Sequence, residues 1–110
     1  MPQHVAVTDI LASPRAFDGC EVSASGIFMK FQENQCLEAT SGEIDDIEFD
    51  VDECYRIWLE TDEQTEWVGF TPRWGLYLPA TVHGVYRHGA CGHLNAYSGQ
   101  ITNVSRVVAK

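Results

Sequence analysis

The sequence predicts a mainly β fold: a five- to six-stranded closed or partly open barrel with short N-terminal helical turns and a short plug segment. Apolar and polar side chains alternate with a period of two in several separate runs, and glycines lie inside or between those runs. The one helical spacing of large aromatics is interrupted by glycine and proline. With 110 residues and 45% hydrophobic content, residues 1–110 are expected to form a single domain.

The first third of the chain predicts two helical turns followed by a long strand. Thr8 is expected to cap the first turn and Pro14 to open the second, which ends at Asp18-Gly19. Residues 20–28 then alternate between small or apolar and polar side chains, as in a half-buried strand. Gly26 inside this strand predicts a bulge or a bend that lets one strand serve two sheets of a small barrel.

The middle of the chain predicts short strands at residues 35–39 and 55–60. Between them, apolar residues alternate with acidic ones over residues 46–52, so an extended conformation would line carboxylates along one face. The sequence leaves open whether residues 43–53 form a strand or a loop.

The last third predicts a plug and two closing strands. Residues 67–77 are expected to be irregular, with a short turn capped by Thr71 and opened by Pro72. Strands are predicted at residues 79–87 and 97–108, joined by a glycine-rich hairpin.

Charge is strongly segregated along the chain. All sixteen acidic residues precede Trp67, seven of them between Glu43 and Glu53, and the formal net charge is −9 at pH 7. Four of the seven basic residues follow Trp67. The electrostatic field of this concentrated negative charge attracts cationic partners and repels phosphate.

Three segments resemble a family of small bacterial oligonucleotide/oligosaccharide-binding (OB) domains. They are VTDILASPRAFDG leading into CEVSASGIF, RIWLE in the middle strand, and PATVHGVYRHGACGHLNAYSGQITNVSRV at the end. The resemblance implies an OB-like barrel whose face binds nucleic acid, sugar or protein. It implies no catalytic residue, because the matching motifs contain none.

The first functional hypothesis is a non-catalytic protein-binding module. An inhibitor or immunity-type protein that presents carboxylates to a basic protein partner is its concrete form. Trp58 is the expected aromatic anchor. The partner-binding carboxylates are predicted at Asp46, Glu48, Asp50 and Asp52.

The alternative is OB-type binding of single-stranded nucleic acid or an oligosaccharide. Its cationic and stacking groups would come from the later half of the chain, at Arg73, Trp74, Arg87 and Arg106. The net charge disfavours nucleic acid, because phosphate binding depends on lysine and arginine.

Metal binding and catalysis are weaker hypotheses. A weak candidate metal cluster consists of His83, His88, Cys91 and His93, but its spacing matches no standard zinc motif, so no metal or cofactor is expected. Catalysis would need Cys91 with His83 or His93, or Glu38 or Glu60 with a second carboxylate, and no enzymatic activity is expected.

The cysteines and the N-terminal sequence indicate where in the cell the protein is expected. The chain has four cysteines without a C-x-x-C pair, and these are expected to be thiols, although disulfides stay open. The N-terminus lacks the features of an export signal and no apolar stretch approaches a membrane span, so a cytoplasmic location without membrane contact is expected. The oligomeric state does not follow from the sequence.

Overall fold

The computed structural model describes residues 3–31, 34–39, 56–91 and 97–110. Seven strands and two short helices lie within these ranges. In chain order they are β1 (Gln3–Ala6), α1 (Val7–Ala12), α2 (Pro14–Phe17), β2 (Glu21–Phe31), β3 (Asn34–Glu38), β4 (Arg56–Leu59), β5 (Glu66–Val68), β6 (Leu76–Cys91) and β7 (Tyr97–Ala109). The predicted mainly β fold with short N-terminal helices is confirmed. The predicted acidic strand lies outside the described residues.

Five strands close a ring of backbone hydrogen bonds in the order β2, β3, β4, β7 and β6. Neighbours in the ring are antiparallel except β4 and β7, which are parallel. The ring is uneven because one edge of each of two long strands, β2 and β7, pairs with two different strands in succession. One edge of β2 pairs with β1 over residues 22–25 and with β3 over residues 27–31, and one edge of β7 pairs with β4 and then with β5.

The interior of the ring is filled by alternate residues of its strands. Phe28 is fully buried, and its ring lies 5.6 Å from that of Trp67 and 5.3 Å from that of Phe70. The segment predicted as a plug therefore supplies aromatic side chains to the core. Other fully buried core residues are Val7, Ile10, Val22, Ala24, Leu37, Ile57, Ala80, Val82, Ile101 and Val107.

Three local predictions need correction. Helix α1 begins at Val7, and the carboxylate of Asp9 accepts a hydrogen bond from the backbone N–H of Ala6 at 3.0 Å, so Thr8 is not the cap. The turn expected at Thr71-Pro72 is absent: residues 71–73 are irregular and the turn falls at residues 74–75. Strands β1 and β5 were not predicted at all. Pro14 does open α2, as predicted.

Candidate functional site

A row of side chains crosses the outer surface of four strands. The register places Tyr77 of β6 opposite Met29 of β2, Met29 opposite Cys36 of β3, and Cys36 opposite Trp58 of β4. Directly paired residues hold their Cβ atoms about 4.5–5.5 Å apart, so the four side chains form a continuous band. We call it the aromatic row. Cys36 is fully buried and packs with Met29 and Trp58, whereas Tyr77 is 61% exposed.

The end of the row at Tyr77 is held by a buried carboxylate. Arg56 Nε donates to Glu38 Oε1 at 2.6 Å, and the hydroxyl of Tyr77 donates to Glu38 Oε2 at 2.8 Å. Glu38 is only 4% exposed, so both of its oxygens need such donors. This network fixes the direction of the Tyr77 ring and shows that Glu38, once considered as a catalytic carboxylate, is part of an ion pair.

Two depressions flank the row. The first, which we call the polar cleft, has a volume of about 230 Å³ and is lined by Lys30, Gln35, Trp58, Leu59, Glu60 and Thr61. The second, which we call the apolar notch, has a volume of about 140 Å³ and is lined by Met29, Lys30, Gly75, Leu76 and Tyr77. Trp58 is half-buried at the surface, and its Nε1 donates to Glu60 Oε2 at 2.8 Å.

Trp74 adds a second exposed aromatic ring near the notch. The backbone N–H of the following residue, Gly75, donates to the Lys30 carbonyl at 2.8 Å, which places Trp74 at the Lys30 end of β2. Its side chain is 65% exposed. The four aromatics between residues 67 and 77 therefore divide into an inward pair, Trp67 and Phe70, and an exposed pair, Trp74 and Tyr77.

The alternative cationic residues lie on different parts of the fold. Arg73 lies beside Trp74 in sequence, before β6 begins at Leu76, whereas Arg87 lies on β6, eleven residues after Leu76. Arg106 lies on β7, where its Nε bonds Glu66 Oε1 at 2.8 Å.

A second outer row is polar. Direct pairing joins His4 of β1, Ser23 of β2, His83 of β6, Arg106 of β7 and Glu66 of β5. Burial, followed by the charge of Arg106 and by His4, lowers the pKa of His83 below 6.5. Ser23 Oγ is buried and has no hydrogen-bond partner in the described part of the chain. We call this band the polar row.

The weak metal cluster is only partly described. His83 belongs to the polar row, and the backbone N–H of His88 donates to Asp18 Oδ1 at 3.0 Å. The side chain of Cys91 and all of His93 lie outside the description. Within the described ranges, no three His, Cys, Asp or Glu side chains are arranged to hold a metal ion.

The remaining predicted residues have different outcomes. Asp46, Glu48, Asp50 and Asp52 lie in residues 40–55, outside the described ranges. Cys20 and Cys36 are in the thiol form. Met29, Cys36 and Tyr77 were not predicted as site residues. The alternation of side chains along each strand indicates that these three residues could face outward. Only the pairing of the four strands places them in one band.

Comparisons with known proteins add no relative. No family model, curated protein or solved structure matches this chain. Among the described residues, no helix has the length and apolarity needed to cross a bilayer.

Proposed function

We propose that this chain is a non-catalytic protein-binding module that docks a basic protein on the surface formed by the aromatic row. The observation that carries the proposal is the row itself. Tyr77 is 61% exposed at one end, and half-buried Trp58 is at the other. Tyrosine and tryptophan supply much of the binding energy at protein interfaces when a partner buries them.

The apolar notch supports the same use of this surface. Its lining combines Met29, Leu76 and Tyr77 with Gly75 and Lys30. At about 140 Å³ it has room for one apolar side chain of a partner. Anchors that fill a pocket beside an exposed aromatic are typical of the residues that dominate an interface.

The network around Glu38 reduces the entropy that binding would cost. Tyr77 is already held by its 2.8 Å hydrogen bond to Glu38, which is itself held by Arg56. Immobilising a flexible side chain on association costs about 0.5–1.5 kcal/mol, and a ring fixed beforehand avoids part of that cost.

The charge of the chain selects the kind of partner. A net charge of −9 steers a basic protein toward this chain and repels polyanions. Asp46, Glu48, Asp50 and Asp52 would supply the electrostatic contact. The concrete form of the proposal is an immunity-type inhibitor that covers the cationic site of a toxin or nuclease.

The first test measures the aromatic contribution. The immobilised protein captures proteins from an extract of its source cells, and the captured protein is identified, checked for a basic isoelectric point and purified. Tyr77→Ala should weaken binding of that protein by about tenfold or more. The control Val85→Ala changes a half-buried residue on the same outer side of β6, eight positions away, and should bind like the unmodified protein.

The second test measures the electrostatic contribution and the alternative ligands. Replacing Asp46, Glu48, Asp50 and Asp52 by their amides should slow association and flatten its dependence on salt. An acidic partner, or equal binding by all variants, would contradict the proposal. Saturable binding of a fluorescent single-stranded oligonucleotide or of an oligosaccharide, lost on Trp74→Ala, would replace it by the OB-type alternative.

A further inference from the structure

The polar cleft contains two opposite charges that do not pair with each other. Lys30 of β2 and Glu60, the residue after β4, both line the cleft. Among the described residues, Lys30 Nζ donates to Gln35 Oε1 at 3.2 Å and contacts no carboxylate. Glu60 accepts the Trp58 indole N–H with Oε2, which leaves Oε1 without a described partner.

Neutral groups hold the cationic side of the cleft in place. Gln35 lies directly opposite Lys30 in the pairing of β2 with β3, and its Nε2 donates to Thr61 Oγ1 at 2.7 Å. Because Gln35 uses its oxygen for Lys30 and its nitrogen for Thr61, the hydroxyl hydrogen of Thr61 remains a donor. Lys30 and Thr61 therefore offer donors to an anionic group, while Glu60 offers an acceptor to a cationic one.

The size of the cleft restricts the ligand. Its volume of about 230 Å³ lies below the roughly 300–1,000 Å³ of sites for drug-sized molecules, so a ligand of few heavy atoms fits best. A ligand with one positive and one negative end would satisfy both charges without leaving either unpaired.

We propose that the polar cleft binds a free α-amino acid in its zwitterionic form. The α-carboxylate accepts from Lys30 and Thr61, the α-ammonium donates to Glu60, and the side chain lies against Trp58. The indole face also attracts the ammonium group through its quadrupole. This site goes beyond the protein-binding function and does not depend on it.

The test follows the indole N–H resonance of Trp58 by NMR, assigned with Trp58→Phe. The ¹⁵N-labelled protein is titrated with L-alanine and L-leucine, and then with N-acetyl-L-alanine and L-alanine methyl ester. We expect a saturable shift with the amino acids. The two derivatives, which lack the ammonium and the carboxylate charge respectively, should not saturate the site.

Substitutions identify the charged groups that the ligand uses. Lys30→Met and Glu60→Gln should each weaken amino acid binding by about tenfold or more, because each removes one charge-assisted contact. The controls Lys110→Met and Glu63→Gln change exposed residues of the same types outside the cleft and should leave binding unchanged.

Three results would overturn the proposal: no saturable shift with either amino acid, equal binding of the derivatives, or equal binding by the cleft and control variants. Glu60 does not line the apolar notch, so Glu60→Gln also separates this proposal from the protein-binding function. We expect this variant to lose affinity for L-alanine and to keep the dissociation rate of the protein partner, since Gln still offers an oxygen to the Trp58 indole N–H.

Discussion

At the scale of single residues, the polar row determines the protonation of His83. The side chain is half-buried between Ser23 of β2 and Arg106 of β7, with His4 one strand further along the row. Burial makes the largest contribution to lowering its pKa, followed by the positive charge of Arg106 and by His4. The acidic groups nearest in register are Glu66, which pairs with Arg106, and Glu21, a diagonal neighbour on β2.

The lowered pKa of His83 predicts a loss of stability in mild acid. The unfolded chain takes up a proton near pH 6.5, whereas the folded protein does so only at a lower pH. The contribution of His83 to stability is therefore complete above pH 6.5 and is lost as the pH falls from there through the folded pKa. Urea unfolding between about pH 7 and pH 5 should show a steeper loss for the unmodified protein than for His83→Gln.

Arg106→Gln tests whether the charge of Arg106 contributes to the lowered pKa of His83. Removing the neighbouring positive charge should raise the pKa of His83, which the imidazole resonances report directly in an NMR titration. A pKa at or above 6.5 in the unmodified protein would contradict the description of the polar row.

At the scale of elements, β2 depends on the absence of a side chain at Gly26. This residue lies between the part of β2 that pairs with β1 and the part that pairs with β3. A Cβ atom there would lie 2.7 Å from Val7 Cγ2 and still closer to the Glu38 carbonyl oxygen. The glycine is thus needed for the close approach of α1 and β3 rather than for a left-handed backbone.

Gly26→Ala is expected to lower the free energy of unfolding by about 2–3 kcal/mol, because the carbonyl of Glu38 cannot move without disturbing β3. Gly75→Ala is the comparison, since Gly75 has a φ of 84° but open space around its Cα. That variant should lose only about 1 kcal/mol, from backbone strain. Urea unfolding of both variants measures the difference, and an equal loss would show that crowding at Gly26 is unimportant.

The alternation of apolar and polar residues predicted the long strands well, because burial in those strands follows the same alternation. In β6, for example, Ala80 and Val82 are buried while Thr81 and His83 are only partly so, as expected from a period of two. Strands β1 and β5 have four and three residues, too few for a period, and each forms by parallel pairing to an edge of a longer strand. Nothing local in their sequences indicates that pairing.

The candidate site was less predictable than the strands. Trp58 could be assigned to the outer face from its own strand. Its neighbours in the aromatic row depend on the register of three successive strand pairs, and a shift of one residue would turn Met29 or Cys36 inward. The contacts of Glu38 could not be predicted from the sequence either, because Arg56 and Tyr77 are distant from it in sequence and approach it only after the strands pair.

At the scale of the whole molecule, the shortest strand pairing in the described part of the ring joins β4 to β7. Among the described residues, β4 meets β7 only where Trp58 lies opposite Gln100 and Leu59 opposite Ile101. By contrast, β2 pairs with β6 without interruption from Glu21 to Lys30. Local opening requires least energy where few hydrogen bonds and few buried contacts must break together.

Native-state hydrogen exchange should therefore show that the ring opens first between β4 and β7. The backbone N–H of Glu60 donates to the Ile101 carbonyl at 2.9 Å and is the probe of this pairing. We expect its exchange to have a lower free energy than that of amides in the middle of β2 and β6, and to respond weakly to low urea, because little surface is exposed by local opening. If the Glu60 amide instead shares the free energy and the urea dependence of β2 and β6, the ring opens as one unit. Since Trp58 and Glu60 both lie at this pairing, an early opening would also disrupt the polar cleft and one end of the aromatic row before the rest of the barrel unfolds.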